Sequence, residues 1–209
     1  MMNLNQFLRA RHSFLVLVFS IGLVSCSSQP ELPKLSPQGV ILAFGDSLTY
    51  GTGAKRDQAY PAILEGLSGH HVVNAGIPGE VTKRGLERLP EVLDDTMPEL
   101  MILCHGGNDL IRKMGEQAAA NNLRQMVTLA KQQGISVILV AVPKPSIMLE
   151  EPEYYKQVAE EFGIPILEGV LPGILRKPSM KSDVIHPNAE GYKVMAEQLH
   201  ELLSEVGSI

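Results

Sequence analysis

The chain has 209 residues, a formal net charge of -5 and 20% charged side chains, a size and balance that suit one soluble domain with an ordinary core. Without a basic run it gives nucleic acid no electrostatic foothold. No repeat or low-complexity tract points to a solenoid or a disordered polymer.

At the start of the chain, Arg9 and Arg11 precede an apolar run from about Phe14 to Val24. This run is shorter than the roughly 20 residues a membrane-spanning helix needs, and it marks residues 1–25 as a secretory signal. Its end, Leu23-Val24-Ser25-Cys26, resembles the lipobox of bacterial lipoproteins, where cleavage before the cysteine accompanies attachment of lipid. The alternative is an ordinary cleaved signal with Cys26 merely near the cut. Several acyl chains, at about 0.8 kcal/mol per buried CH₂, would hold the protein on a membrane far more firmly than one chain could. Ser27 stands where aspartate often marks inner-membrane retention, so the resemblance implies the bacterial cell envelope, at the outer membrane facing the periplasm.

Residues 26–38 carry Pro30, Pro33 and Pro37 and no apolar periodicity. They are expected to form an extended tether of about 35 Å, leaving a folded domain over 39–209. With Cys26 lipidated, Cys104 is the remaining thiol. An internal disulfide is then impossible, and Cys104, at the end of an apolar run, is expected to be a small buried hydrophobe.

Short apolar runs rich in Val and Ile follow at Val40–Phe44, His71–Asn74, Leu100–Cys104, Ile135–Val142 and Ile164–Leu167. Such runs fit strands buried on both faces. Between them Leu86, Leu89, Val92 and Leu93 keep helical spacing, as do Leu123, Met126, Val127 and Ala130, and then Tyr155, Val158, Ala159 and Phe162. A last helix begins near Pro187 and Asn188, where a proline and a capping side chain belong. The alternation predicts an α/β fold, a parallel sheet of about five strands covered by helices on both sides. Ligands bind such sheets at the carboxyl ends of the strands.

Four blocks fall at those ends: Gly45-Asp46-Ser47-Leu48, Asn74-Ala75-Gly76-Ile77-Pro78-Gly79, Gly106-Gly107-Asn108-Asp109 and Asp183-Val184-Ile185-His186. Each alone has a plain alternative: a helix cap for Ser47, ordinary turns for the glycine-rich blocks, a loop or cap for Asp183. Together they hold what ester cleavage needs. Ser47 is the candidate nucleophile, turned outward by glycines at 45 and 51. His186 is the candidate base, and Asp183 can hold its tautomer. Gly79, Asn108 and the Ser47 amide are the candidate oxyanion donors. His12, His70, His71, His105 and His200 are expected to be structural or solvated. No spacing suggests a metal site.

These blocks, with Gly85-Leu86-Glu87-Arg88-Leu89-Pro90 and Ile185-His186-Pro187-Asn188, resemble the SGNH hydrolase superfamily, the GDSL esterases and lipases. Within it the chain is similar to the bacterial thioesterase I, lysophospholipase L1 and arylesterase group. The resemblance implies a three-layer α/β/α, flavodoxin-like fold and no cofactor. It implies Ser47 as nucleophile, Ser47, Gly79 and Asn108 as oxyanion donors, and Asp183 and His186 as their partners. The lipobox, His105 in place of an aliphatic residue, and Gly76-Ile77-Pro78 depart from the family pattern.

Ile77, Pro78, Leu110, Ile111, Met114, Ile147, Met148, Val184 and Ile185 lie in or beside the loops around Ser47. They are expected to form an apolar rim for an acyl chain, unless they simply pack the loops. Expected partners are an ester or thioester substrate with an acyl chain and a membrane reached through Cys26, with no nucleic acid and the protein monomeric. The rival readings are a carbohydrate O-acetyl esterase and a non-catalytic lipid-binding lipoprotein, the latter marked by a broken Ser-Asp-His set.

Overall fold

The computed structural model describes residues 29–209; the expected signal over 1–25 and the expected lipidation site at Cys26 lie outside the described residues. Five parallel strands form one sheet in the order β2-β1-β3-β4-β5, the flavodoxin-like order. They are β1 (Ile41–Gly45), β2 (Val72–Gly76), β3 (Leu100–Cys104), β4 (Ser136–Val140) and β5 (Ile166–Leu167). In chain order the helices are α1 (Ser47–Tyr50), α2 (Tyr60–Ser68), α3 (Thr82–Thr96), α4 (Gly107–Ile111), α5 (Glu116–Gln132), α6 (Tyr154–Phe162), α7 (Val170–Leu175) and α8 (Ala189–Glu205).

The central strands β1 and β3 are buried along their whole length, as continuous apolar runs in a sheet covered on both faces must be. Helices α2, α7 and α8 pack together, and α5 packs against both α3 and α6. These are the two outer layers. The polar faces of α3 and α5 point outward, while Leu89, Leu93, Leu123, Met126 and Val127 enter the core.

Sequence periodicity locates every strand, but the edges differ. β5 is two residues long, not four, and β4 ends at Val140. Helix α2 and the six-residue α7 were not anticipated. α7 contains Pro172 and Gly173 and is too short to show a helical period.

The expected tether is corrected by the structure, because residues 29–38 are docked. The Gln29 side-chain amide brackets the backbone of Ile166, giving and accepting at 3.1 Å. Leu32 and Leu35 donate to the carbonyls of Val206 and Ser208 at 2.8 and 2.9 Å, and Leu35 joins the core. Ser36 bonds the Glu99 carboxylate through its amide and its hydroxyl. Proline keeps this lead extended, and an extended chain lies along the surface with its backbone groups paired. Among the described residues the domain therefore starts at Gln29, not at Gly39. The lead touches β5, the end of α8 and the residue before β3, at the amino ends of the strands.

Strand register levels the opposite edge of the sheet. Gly45 sits opposite Gly76 on one side and Cys104 on the other. The residues that follow these three positions are therefore neighbours, although far apart in sequence.

Candidate active site

The turn after β1 is built to present Ser47. Asp46 caps α1 by accepting from the Leu48 amide at 3.0 Å, and Ser47 is the first helical residue. A Cβ on Gly45 would lie 2.0 Å from the Cys104 carbonyl oxygen, and Gly51 closes the helix at φ +95°, so both positions require glycine. Asn74 ties this turn to β2, giving its amide to the Thr49 carbonyl at 2.9 Å and accepting from Gly76 at 3.0 Å.

His186 arrives from the loop before α8. Its Nε2 is 3.0 Å from Ser47 Oγ, and its Nδ1 is 2.7 Å from Asp183 Oδ2. Asp183 Oδ1 accepts the amides of Ile185 and His186, both at 2.8 Å, which folds the loop into a tight turn. Because a carboxylate only accepts, Nδ1 carries the proton and Nε2 turns a lone pair toward the serine hydroxyl. Partial burial works to raise the Asp183 carboxyl, but the His186 ring and the two amides outweigh it and hold it below its ordinary range. The loop is pinned behind the ring: Ser182 donates to the His186 carbonyl at 3.0 Å, and Asn188 caps α8.

Asn108, at the start of α4, gives its side-chain amide to Asp46 Oδ2 and to the Glu80 carbonyl, each at 3.0 Å. Both partners accept, which fixes the orientation of the amide. Gly79 adopts φ +78°, and its carbonyl accepts from Arg112 Nη2 at 2.8 Å. It lies between Ile77, whose amide bonds the Gly45 carbonyl at 3.1 Å, and Glu80, bonded to Asn108. The amides of Ser47 and Gly79 have no protein acceptor among the described residues.

Behind these groups is a buried polar network that sequence reasoning did not find. Arg88 Nε and Nη2 grip the Glu80 carboxylate at 2.7 to 3.0 Å. His105, fully buried, brings Nε2 within 3.2 Å of the same carboxylate. Its Nδ1 accepts from the Gly106 amide, so the proton sits on Nε2, toward Glu80. Burial pushes Glu80 up, but bonds from His105 and Arg88 prevail and hold it below its ordinary range. Burial raises the Asp46 carboxyl, against the opposing influence of His105, the Leu48 amide and Asn108. Asp109 caps α3 from another helix, accepting from the Thr82 amide and hydroxyl at 2.8 and 2.7 Å. The one signal available was His105 itself, an ionisable residue closing an apolar strand. Cys104 is buried, and burial, with Asp46 nearby, pushes its thiol well up.

A cavity of about 30 Å³ lies beside Ser47 and His186, walled by Leu48, Asn108, Val142, Leu171 and Leu175 among others. Of the expected acyl-rim residues, Ile111, Val184 and Ile185 line it. Leu110 instead packs on the core and borders a separate depression. Ile77, Met114 and Met148 are exposed and outside the lining, and half-buried Gly79 is outside it too. Leu171 and Leu175 were missed with the helix that carries them.

The arrangement can move a proton from a serine hydroxyl to an imidazole held by a carboxylate. Residues 43–194 match the model of the GDSL-like Lipase/Acylhydrolase family. The thioesterase 1/protease 1/lysophospholipase L1 of Escherichia coli K12 is 30% identical, covering 98% of this chain and 99% of its own. An arylesterase of Vibrio mimicus is 28% identical, over 88% of this chain and 92% of its own. The crystal structure of TesA superposes with a TM-score of 0.72 at 28% identity, over 80% of this chain and 99% of that one. With the family pattern spanning most of the described domain, the chain belongs to the GDSL-like lipase and acylhydrolase family.

Proposed function

We propose that the protein is a serine esterase that hydrolyses carboxylic ester or thioester bonds through an acyl-enzyme on Ser47. The observation that carries this is the 3.0 Å approach of His186 Nε2 to Ser47 Oγ, with Asp183 on the far side of the ring. In the first step Ser47 Oγ bonds to the acyl carbon while its proton passes to Nε2. Charge developing on the carbonyl oxygen meets the amides of Ser47 and Gly79 and the side chain of Asn108. Each donor is worth about 3 to 4 kcal/mol in the transition state. The imidazolium then returns its proton to the departing oxygen or sulfur, which leaves as the acyl-enzyme forms. His186 next takes a proton from water, the hydroxide oxygen bonds to the acyl carbon, and Ser47 Oγ leaves with the proton returned.

Relatives named as an arylesterase and as a thioesterase and lysophospholipase favour acyl esters and thioesters as substrates. The test is a hydrolysis panel of esters and thioesters graded by acyl length. Turnover that extends to chains longer than acetyl supports the proposal. Turnover confined to acetylated glycans would move the protein to the carbohydrate O-acetyl esterases, and no turnover of any ester would end the proposal.

The lipobox at Leu23-Val24-Ser25-Cys26 supports attachment to the cell envelope through lipid on Cys26, at the outer membrane facing the periplasm, with the protein acting as a monomer. The docked lead then gives the anchor a direction. Gln29 is held at the amino ends of the strands, whereas Ser47 and His186 stand at the carboxyl ends, so the active site faces away from the anchoring bilayer. Cys26→Ser should release the protein from membranes, and unchanged fractionation would refute the anchor.

A further inference from the structure

The amide of Gly79 belongs to the turn Ile77-Pro78-Gly79-Glu80, closed by the Glu80 amide, which donates to the Ile77 carbonyl at 3.2 Å. Proline in second place and glycine in third, at φ +78°, give the pattern of a type II turn. An oxyanion donor acts to the extent that supporting hydrogen bonds hold it in place before the reaction. This turn is tied at each side. The Ile77 amide goes to the Gly45 carbonyl, the Gly79 carbonyl takes Arg112 Nη2, and the Glu80 carbonyl takes the Asn108 side chain. The Gly79 N–H is the turn's one amide hydrogen without a protein acceptor among the described residues.

The last residue of the turn is also held by its side chain. Glu80 is buried, and its carboxylate is gripped from two elements: by Arg88 of α3 through Nε and Nη2, and by His105, just past β3, through Nε2. Arg88 Nη2 reaches further, to the carbonyls of Ala75 at 2.9 Å and Gly45 at 3.3 Å. Its guanidinium lies over the Phe44 ring, 4.0 Å from the centroid. Glu80 is thereby fixed to the carboxyl ends of β1, β2 and β3 together, and β1 is the strand that delivers Ser47. Burying a carboxylate with its partners is a poor route to stability, because desolvation offsets much of the attraction.

We propose that Glu80 is a positioning residue for the oxyanion hole, its carboxylate held by Arg88 and His105 so that the amides of Gly79 and Asn108 stay aimed at the carbonyl oxygen of the substrate. This deepens the esterase proposal and rests on it. Glu80 is outside the cavity lining and acts through its backbone: its carbonyl orients Asn108, and its peptide nitrogen is bonded to Gly79. Arg88 supplies a fork of parallel N–H groups. His105 supplies one N–H, in the tautomer that the Gly106 amide selects.

The experiment measures hydrolysis of p-nitrophenyl butyrate at a temperature where circular dichroism shows each protein folded. Glu80→Gln should lower kcat by about 30-fold with KM changed by no more than about twofold, the split expected when only transition-state contacts weaken. Made in an Asn108→Ala background, the same substitution should cost only about fivefold or less, because one of the donors it aims is already gone. An equal factor in both backgrounds would reduce Glu80 to a support of the fold and overturn the proposal, as would an unaltered kcat in Glu80→Gln. A second pair of variants reads the same clamp from His105. Leucine there removes the donor to Glu80, whereas the amide nitrogen of glutamine can stand where Nε2 stands and donate in its place. His105→Leu should lower kcat by about fivefold, and His105→Gln should recover most of that loss. Should Glu80→Gln fail to fold, this pair decides: His105→Leu at the wild-type kcat, or equal losses with leucine and glutamine, would overturn the clamp. A wild type that hydrolyses butyrate with either of those outcomes keeps the esterase proposal, whereas a wild type inactive on the whole graded panel removes that proposal itself.

Discussion

Asn108 Nδ2 lies 3.0 Å from Asp46 Oδ2, joining the first turn of α4 to the residue that caps the nucleophile turn. The second proton of the same amide goes to the Glu80 carbonyl. A side-chain amide has two such protons, so both are held in the free protein. An oxyanion, carrying more charge than a peptide carbonyl, would draw a share of one of them.

Replacing Asn108 with Ala should lower kcat by about 10²- to 10³-fold through loss of an oxyanion donor. It should also lower unfolding free energy by about 1 to 3 kcal/mol, since buried Asp46 loses a partner. Steady-state kinetics on an activated ester and urea unfolding measure the two effects, and a stability loss with unaltered kcat would take Asn108 out of the oxyanion site.

Ser47→Ala should reduce ester turnover by about 10⁴-fold or more with little change in stability, because among the described residues the Ser47 hydroxyl bonds only to the part-buried His186. Activity near that of the wild type would refute Ser47 as nucleophile.

Asp183→Asn isolates the tautomer. An asparagine oxygen can still accept the Ile185 and His186 amides that Oδ1 accepts now, so the turn should survive. Its NH₂ group would face Nδ1, drive the ring proton to Nε2 and point it at Ser47. We expect kcat to fall by up to about 10⁴-fold with KM little changed, checked by kinetics with circular dichroism as the control on folding.

The pH dependence of stability should carry the mark of Glu80. Its folded pKa lies below the ordinary value of 4.5, so its stabilising share is complete above that value and is lost as the pH falls through the lower folded pKa. Asp46 acts in the opposite sense: its folded pKa is raised above 3.8, so protonation on acidification relieves its buried charge. Glu80→Gln should therefore flatten the acid limb of a plot of Tm against pH. An unaltered slope below pH 4.5 would mean that the Glu80 carboxylate does not supply this sensitivity.

Gly85 makes room for His105. A Cβ there would lie 2.5 Å from His105 Nε2, 2.9 Å from Cδ2 and 3.1 Å from Met126 Cε, and the ring has no free space to swing into because it is fully buried. Alanine favours a helix over glycine by about 1 kcal/mol. Gly85→Ala should nevertheless destabilise the protein by about 1 to 3 kcal/mol through overpacking. In a His105→Ala background the same substitution should become neutral or stabilising. A double-mutant cycle by urea unfolding reads the coupling, and additive effects would show that the ring does not require this glycine.

The sequence by itself determined the parallel sheet, since runs such as Leu100–Cys104 have the composition of strands covered on both faces. It also placed Ser47, Asn108, Asp183 and His186 at strand ends, because turn residues and a helix cap are written in short local patterns. Only the tertiary structure decided which distant groups meet. His186 reaches Ser47 across 139 positions, Asp109 caps a helix 27 positions earlier, and Glu80 joins His105 across 25. These meetings follow from strand order and register, which no local periodicity encodes. The same holds for the lead over 29–38: its prolines specify an extended chain, but its position on the domain comes from unpaired carbonyls at Val206 and Ser208 that only the folded α8 end presents.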